Sequence, residues 1–278
     1  MPELPEVETV RRVLEPQLAG RVIEGVDVLN GQVVAHPAPE AFASVLVGRK
    51  IAGMGRRGKY LAVALDDGSE LVVHLRMTGQ LLVAPPDAPV EKHTHLVLRL
   101  SDGAELRYLD TRRFGRFWLF APGEPDEVSG RCKLGPEPDD AVLTVAYLKA
   151  QAGRKRKPIK ELLHDQSVVA GIGNIYSDEI LFDARVNPLK PCCTLDDEEW
   201  ERLARSIPRI IAWGIEEDVM TPEEYLRGQG KEYRNAEHLR AYGREGEPCS
   251  RCGAPLQRTK VGSRSSYFCP ECQKLTGV

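Results

Sequence analysis

The stretch CSRCGAPLQRTKVGSRSSYFCPEC, residues 249–272, constrains the fold of this chain more tightly than any other. Its cysteines form two Cys-x-x-Cys pairs, Cys249 with Cys252 and Cys269 with Cys272, separated by sixteen residues. Two such pairs at this spacing are typical of a tetrahedral zinc site made of four thiolates. Because four thiolates leave no coordination position for water, we expect the zinc ion to be structural.

The residues between the two pairs predict a β-hairpin. Leu256–Val261 and Ser265–Phe268 have strand character, and Gly262-Ser263-Arg264 forms the turn. Arg258, Lys260 and Arg264 are basic, and no acidic residue lies between Cys252 and Cys269. A basic hairpin fits contact with nucleic acid, although solvated basic hairpins are also common.

The region before the cysteine module has a helical pattern from Val142 to about Leu239. Apolar residues at helical spacing predict three helices, at Pro158–His164, Asn174–Ala184 and Asp196–Trp213. The turn-rich segment Gly135-Pro136-Glu137-Pro138 separates this region from the preceding one. We therefore predict domains at residues 1–131, 139–240 and 241–278.

The first 131 residues predict a helix followed by antiparallel strands. Pro5–Leu18 places apolar residues at three- and four-residue spacing, and Gly20 follows as a cap. Six alternating or apolar segments are predicted strands, at Val22–Leu29, Lys59–Leu65, Glu70–Leu75, His95–Leu100, Glu105–Asp110 and Phe114–Phe120. The chain is thus predicted to be α+β, with an N-terminal antiparallel β-sandwich or barrel.

Composition excludes two classes of protein. The longest apolar stretch, Tyr60–Leu65, is too short to cross a bilayer, so we expect no membrane association. Seven cysteines are an odd number, and four of them fall into the two pairs, which argues against a disulfide framework. We expect a cytoplasmic protein.

Charge is unevenly distributed along the chain. The net charge of −3 would repel nucleic acid, yet Lys149–Lys160 contains six basic residues and no acidic one. Its residues Arg154–Lys157 immediately precede the helix start at Pro158, where a bound phosphate would pair with both the cations and the helix amides. Further on, Gly171-Ile172-Gly173 opens a helix with Asn174 as its predicted N-cap, and backbone amides there can also face a phosphate.

The N-terminus suggests covalent chemistry. Removal of Met1 would leave Pro2 with a free secondary amine, which can attack a sugar C1′ and form an iminium. The competing nucleophile is Lys59, for which neutralisation at pH 7 costs about 4 to 5 kcal/mol, against about 1.4 for an α-amine. Glu3 is placed to move protons, and Glu6 to support the helix start or to orient the amine.

Eight motifs together resemble the formamidopyrimidine-DNA glycosylase family, whose members remove oxidised purines from DNA. They extend from Pro2 to Gln273 and are PELPEVETVRR, RRGKYL, HLRMTG, EKHTH, DTRRFG, LGPEP, VVAGIGNIYSDEILF and YGREGEPCSRCG with its second knuckle. The resemblance implies a β-sandwich domain, a helix-two-turn-helix domain and a zinc finger that bind damaged double-stranded DNA. It also implies a monomeric, nucleoid-associated bacterial enzyme with zinc and no nucleotide cofactor.

The resemblance further implies a bifunctional glycosylase and AP lyase acting by β,δ-elimination. Pro2 would be the Schiff-base nucleophile, and Glu3 the acid or base at the sugar. Lys59 would be a proton donor and phosphate ligand, and Arg264 would lie at the cleaved phosphate.

Other matched positions are implied to bind DNA. Those at the backbone are His74, His93, Arg156 and Asn174. Lys260 is a further candidate for DNA binding because it lies on the basic hairpin. Those that fill the gap left by the everted nucleotide are Met77, Arg112 and Phe114. Burial preferences alone would place Met77 and Phe114 in the core.

The segment that covers the everted base in the family differs in this chain. Glu216–Thr221 and Tyr233-Arg234 stand where glycine, serine, threonine and a phenylalanine-glutamine pair are usual. Two alternatives to oxidised-purine excision therefore stay open. One is a related glycosylase for oxidised pyrimidines, and the other is a zinc protein that binds nucleic acid without catalysis.

Overall fold

The computed structural model describes residues 2–154 and 156–276, so Met1 and Lys155 of the basic run lie outside the described residues. Two compact units emerge. The sheet unit comprises Pro2, Glu6–Cys132 and Asp218–Tyr233, and the helical unit comprises Glu3–Pro5 with the described parts of 133–217 and 234–276. Among residues 2–154 and 156–276, no helix has the length and apolar character needed to cross a membrane.

The sheet unit is a sandwich of two β-sheets with three helices. The helices are α1 Leu4–Leu18, α2 Pro39–Leu46 and α7 Pro222–Arg227. The strands are β1 Ile23–Val28, β2 Val34–His36, β3 Ile51–Arg57, β4 Tyr60–Leu65, β5 Glu70–His74, β6 Gly79–Ala84, β7 Thr94–Leu100, β8 Glu105–Asp110 and β9 Arg116–Phe120. One sheet has the order β1-β7-β8-β6 and the other β2-β9-β5-β4-β3.

Two turns that contain aspartate and glycine join neighbouring antiparallel strands. Asp66-Asp67-Gly68 joins β4 to β5, and Ser101-Asp102-Gly103 joins β7 to β8, both antiparallel. The short strand β2 departs from the prediction because it runs parallel to β9. Apolar residues from both sheets and from α1 fill one core, which includes Val10, Leu14 and Phe117.

The segment Asp218–Tyr233 follows the helices in sequence but belongs to the sheet unit. Its helix α7 begins with a capping box in which Thr221 and Glu224 bond each other's backbone amides. Tyr225 of α7 is 2% exposed and lies in the core of the sheet unit. At the start of the segment, the Thr9 hydroxyl donates to Oδ2 of Asp218 at 2.8 Å.

The helical unit contains four helices and a β-hairpin. They are α3 Val145–Ala152, α4 Ile159–His164, α5 Asn174–Ala184, α6 Asp197–Glu217, β10 Gln257–Val261 and β11 Arg264–Phe268. The core of this unit gathers apolar residues of α3 to α6, including Leu148, Ile180 and Leu203. Helix α5 is the most enclosed, with eight of its eleven residues buried, so its buried polar side chains require partners.

Candidate active site and nucleic-acid interface

The four predicted zinc ligands come together at the base of the hairpin. Their sulfur atoms all lie within 4.8 Å of one another. Sγ of Cys249 is 3.9 Å from that of Cys272, and Sγ of Cys252 is 3.5 Å from that of Cys269. Tetrahedral Zn–S bonds of about 2.3 Å require S···S distances of about 3.8 Å, so the cluster fits one zinc ion.

Backbone amides support these thiolates. The amide of Arg251 donates to Sγ of Cys249, and the amide of Cys272 donates to Sγ of Cys269, both at 3.4 Å. Gly253, at φ +77°, turns the chain back after the first pair. Four thiolates complete the coordination of a tetrahedral zinc ion, which agrees with a structural metal.

The hairpin above the zinc site is anchored to helix α5 through Asp178, which also forms a buried ion pair with Lys160 of α4. Nζ of Lys160 lies 2.7 Å from Oδ1 of Asp178, and both side chains are almost fully buried. The Ser266 hydroxyl and the Tyr267 amide also donate to Asp178, at 2.6 and 2.9 Å. Burial raises the pKa of Asp178 to about 6, while Lys160 and the other donors favour its charged form. The hairpin that carries the exposed Arg264 is thereby bonded to α5.

The same helix holds Glu3 at its N-terminus. The Glu3 carboxylate is 2% exposed and accepts backbone N–H bonds from Gly173 at 2.7 Å, Ile175 at 2.9 Å and Tyr176 at 3.2 Å. A carboxylate there satisfies free amides and complements the helix dipole. Gly173 has to be glycine, since a Cβ would lie 2.3 Å from the Glu3 carboxyl carbon.

The prediction that Asn174 caps this helix was wrong. Gly173 occupies the N-cap position without a side-chain bond, and the amides are taken by Glu3 instead. The Asn174 side chain donates to the Tyr242 hydroxyl at 3.5 Å, while its Oδ1 is buried without a partner among the described residues. Asn174 is therefore not needed to start the helix.

The basic run delivers less free charge than its sequence suggests. Lys160 is buried against Asp178, Lys149 lies 2.6 Å from Asp197, and Lys157 lies 3.7 Å from Asp165. Arg156 is exposed, as are Lys260 and Arg264 on the hairpin. The surface charge available to a phosphate is thus carried by a few arginines and lysines.

In the sheet unit, Lys59 occupies the turn between β3 and β4 and is 6% exposed. The preceding Gly58 has φ +55°, and its carbonyl accepts a bond from Nη1 of Arg56 at 3.0 Å. Nε of Arg56 in turn lies 3.3 Å from Glu8, a carboxylate also bonded by Arg11. This network fixes the backbone that carries Lys59.

His74 is neutral in the folded protein. Burial, with the nearby charges of Arg76 and Lys59, lowers the pKa of His74 to about 3. Its Nδ1 accepts a bond from the Arg76 amide at 3.0 Å, so the proton lies on Nε2. The imidazole can therefore donate one hydrogen bond without carrying charge.

The predicted gap-filling residues lie on the two loops that pass between the sheets, β5–β6 and β8–β9. Met77 is 46% and Phe114 47% exposed, so the burial preference that would place them in the core is wrong here. The Arg112 guanidinium lies 4.6 Å from the Phe114 ring centroid, and its Nη1 lies 3.0 Å from the Met77 sulfur. The three side chains that were predicted to fill the gap thus form one exposed cluster.

The same end of the sheet unit carries strained backbone. Of the described non-glycine residues, five have positive φ, and three of them are Arg76, His93 and Arg113. Such residues cost about 1–3 kcal/mol each and occur most often at functional sites.

The remaining predicted site residues of this unit differ in exposure. His93 is exposed, whereas Glu6 is buried in α1 and Pro2 is partly exposed ahead of it.

Sequence reasoning missed several residues that hold these groups in place. Three residues that were not predicted as site residues hold the elements that carry such residues. They are Asp178, Lys160 and Arg56. Asp178 and Arg56 stand inside quoted motifs, and a polar residue within the apolar pattern of α5 was the available signal.

Three family models match the chain. The formamidopyrimidine-DNA glycosylase N-terminal domain matches residues 1–117, and the H2TH domain of the same glycosylase matches residues 134–224. The zinc finger found in FPG and IleRS matches residues 246–275.

Similar proteins cover nearly the whole chain. A formamidopyrimidine-DNA glycosylase of Pelotomaculum thermopropionicum is 45% identical over 275 residues, 99% of this chain and all of that protein. One from Moorella thermoacetica is 48% identical over 260 residues, 94% of this chain and 95% of that protein. The Lactococcus lactis enzyme bound to Fapy-dG-containing DNA has a TM-score of 0.88 at 37% identity, covering 98% of this chain and 100% of that one. The chain therefore belongs to the formamidopyrimidine-DNA glycosylase family, enzymes of base excision repair with DNA glycosylase and AP lyase activity.

Proposed function

We propose that this chain excises oxidised purines, namely 8-oxoguanine and formamidopyrimidines, from duplex DNA and then cuts the strand by β,δ-elimination. The observation that carries the proposal is the buried carboxylate of Glu3, the residue after Pro2, which accepts bonds from three backbone amides at the N-terminus of α5. The related Lactococcus lactis structure with Fapy-dG-containing DNA supports the choice of substrate.

In the proposed reaction, the Pro2 nitrogen attacks C1′ as the glycosidic bond breaks and the base leaves with the bonding electrons. Loss of the N–H proton from Pro2 leaves a neutral aminal. The C1′–O4′ bond then breaks, Glu3 donates a proton to O4′, and the nitrogen lone pair forms the iminium with C1′. Removal of a C2′ proton then expels the 3′ phosphate, and removal of a C4′ proton expels the 5′ phosphate. Lys59 and Arg264 would stabilise the departing phosphates, and Glu6 would orient the amine.

The remaining predicted contacts belong to DNA binding. His74, His93, Arg156, Asn174 and Lys260 would bind the phosphate backbone, where a neutral Nε2–H of His74 suffices for one oxygen. Met77, Arg112 and Phe114 would enter the gap that the everted nucleotide leaves, because an unfilled gap favours return of the base.

We further propose a monomer that acts on the nucleoid in the bacterial cytoplasm, with domains at residues 1–131, 139–240 and 241–278. The bacterial origin of the relatives supports this location.

Borohydride trapping on an 8-oxoguanine duplex tests the chemistry. Reduction of the iminium should join protein to DNA, and peptide mapping should find the strand on Pro2. Pro2→Gly should weaken strand cleavage, and Glu3→Gln should abolish base removal while sparing DNA binding. Glu40→Gln is the matched control, because Glu40 is an exposed acid in the first turn of α2. Full excision by Glu3→Gln would contradict the role of Glu3.

A second substrate class has support from one relative. The Lactococcus lactis enzyme has also been solved with oxidised-pyrimidine-containing DNA, with a TM-score of 0.89. Excision rates on 8-oxoguanine and thymine glycol duplexes, measured side by side, decide between the two classes. A non-catalytic zinc protein would bind both duplexes and trap neither.

A further inference from the structure

The buried carboxylate of Asp110 lies directly beneath the exposed cluster of Met77, Arg112 and Phe114. Asp110 ends strand β8 and is 1% exposed. Oxidised-base excision, as proposed above, gives this carboxylate no chemical step. Its position at the start of the β8–β9 loop nevertheless puts it between the two loops that carry the cluster.

Four donors from three parts of the chain converge on this carboxylate. Oδ1 accepts from the Thr78 hydroxyl at 2.5 Å and from the Arg112 amide at 3.0 Å. Oδ2 accepts from the Tyr108 hydroxyl and from the Gly115 amide, both at 2.9 Å. Thr78 follows Met77 in the β5–β6 loop, while Arg112 and Gly115 belong to the β8–β9 loop. One side chain therefore ties both loops together.

The backbone of Asp110 adds a third connection. Its amide donates to the His93 carbonyl at 3.0 Å, and its carbonyl lies 2.8 Å from Nε2 of His95. His93 has φ +73°, and Arg113 in the β8–β9 loop has φ +59°. Strained residues of this kind persist only where surrounding bonds hold them. Asp110 supplies several of those bonds.

Electrostatics favour the ionised form of this acceptor. Burial alone would raise the pKa of Asp110, but the bonds from Gly115, Thr78 and Tyr108 together lower it below its usual value. Substitution of neighbouring Gly115 is blocked, because a Cβ there would overlap the Tyr108 hydroxyl. The loop therefore has little room to rearrange around the carboxylate.

We propose that Asp110 is a positioning residue that holds Met77, Arg112 and Phe114 together before DNA arrives, so that they enter the duplex as one preformed wedge. This inference rests on the proposed function, since it assigns the cluster to the gap left by an everted nucleotide. The Arg112 guanidinium between the sulfur and the ring reflects that arrangement. Preformed side chains lose less conformational entropy on insertion than separate mobile ones.

Asp110→Asn is a sharp test because the change is nearly isosteric. The amide NH₂ must replace either Oδ1 or Oδ2. A hydroxyl can rotate to accept from this NH₂, but a backbone N–H cannot, so either the Arg112 or the Gly115 amide loses its acceptor. Loss of one such buried bond should weaken lesion-duplex binding, and with it raise KM, by about tenfold or more. The rate constant at saturating enzyme should fall less.

The insertion itself can be followed with 2-aminopurine placed opposite the lesion. We expect the wild type to change the probe's fluorescence on binding and Asp110→Asn to give a smaller change at saturating protein. Thr78→Val cuts only the link to the β5–β6 loop and should give an intermediate change. Asp67→Asn is the matched control, since Asp67 caps the β4–β5 turn through Ser69, away from the cluster.

Each outcome decides the proposal. If Asp110→Asn lowers the melting temperature but keeps the wild-type fluorescence amplitude and KM, Asp110 is only a structural residue and the proposal is wrong. If Asp67→Asn reproduces the loss, the effect is not specific to the wedge. If the wild type neither traps nor excises any lesion, the proposed function fails instead, and trapping is measured first for that reason.

Discussion

The buried ion pair of Lys160 and Asp178, to which the zinc hairpin is bonded, allows a quantitative prediction of the free energy of unfolding. The side chains are 1% and 0% exposed, with 2.7 Å between Nζ and Oδ1. Asp178→Asn leaves the Lys160 ammonium buried, with the Ser265 carbonyl at 3.1 Å but no carboxylate beside it. Breaking a buried pair on one side costs about 3–5 kcal/mol, so we expect a loss of stability in that range.

Lys160→Met should cost less. The Asp178 carboxylate keeps the Ser266 and Tyr267 donors, and its pKa of about 6 lets it take up a proton more readily than an ordinary aspartate. The double variant Asp178→Asn/Lys160→Met removes both charges and should be more stable than the sum of the single losses predicts, by about 2 kcal/mol or more.

Urea unfolding of zinc-saturated protein, followed by tryptophan fluorescence, measures these free energies. Trp200 and Trp213 both lie in the helical unit and report on it, while Trp118 reports on the sheet unit. Additive single losses, within about 0.5 kcal/mol, would refute the reasoning, because they would show that the two charges do not stabilise each other.

Three further predictions follow from single residues. His74 takes up a proton near pH 6.5 in the unfolded chain but only near pH 3 in the folded chain, so acid favours unfolding. Relative to His74→Gln, the wild type should therefore lose about 2 kcal/mol of stability between pH 7 and pH 5. A difference between the two proteins that does not change with pH would contradict this. Cys252→Ser should lose bound zinc and DNA affinity in metal analysis and binding titrations, whereas exposed Cys132→Ser should keep both. The buried Tyr225 hydroxyl has no hydrogen-bond partner among the described residues, so Tyr225→Phe should raise the free energy of unfolding by about 1 kcal/mol, and a lower value in thermal melts would count against it.

Much of the fold could be predicted from the sequence because apolar periodicity reports directly on burial. The zinc cluster, the hairpin and the helices α4, α5 and α6 lie where spacing placed them. Strands β2, β3 and β6 were missed. Gly53 and Gly55 interrupt the strand pattern of β3, and only pairing with β4 reveals it as a strand.

The candidate site, too, could be predicted from the sequence only in part. Residue types with their own chemistry, such as the four cysteines, could be found by spacing, while roles carried by the resemblance remain predictions. Burial preferences could not predict that Met77 and Phe114 are exposed, because hydrogen bonds to Asp110 fix the conformation of the two loops that carry them. Long-range partners such as Thr9 and Asp218, 209 residues apart, leave no local signal at all.

The membership of Asp218–Tyr233 in the sheet unit has a practical consequence for dissecting the molecule. A fragment ending at Cys132 would lack α7, and the cavity normally filled by Tyr225 would expose apolar side chains to water. Such a truncation should aggregate, whereas supplying residues 218–233 through a short artificial linker should rescue its expression. During synthesis on the ribosome, the core of the sheet unit therefore cannot be completed until Tyr225 has emerged, more than two hundred residues after Val10 of the same core.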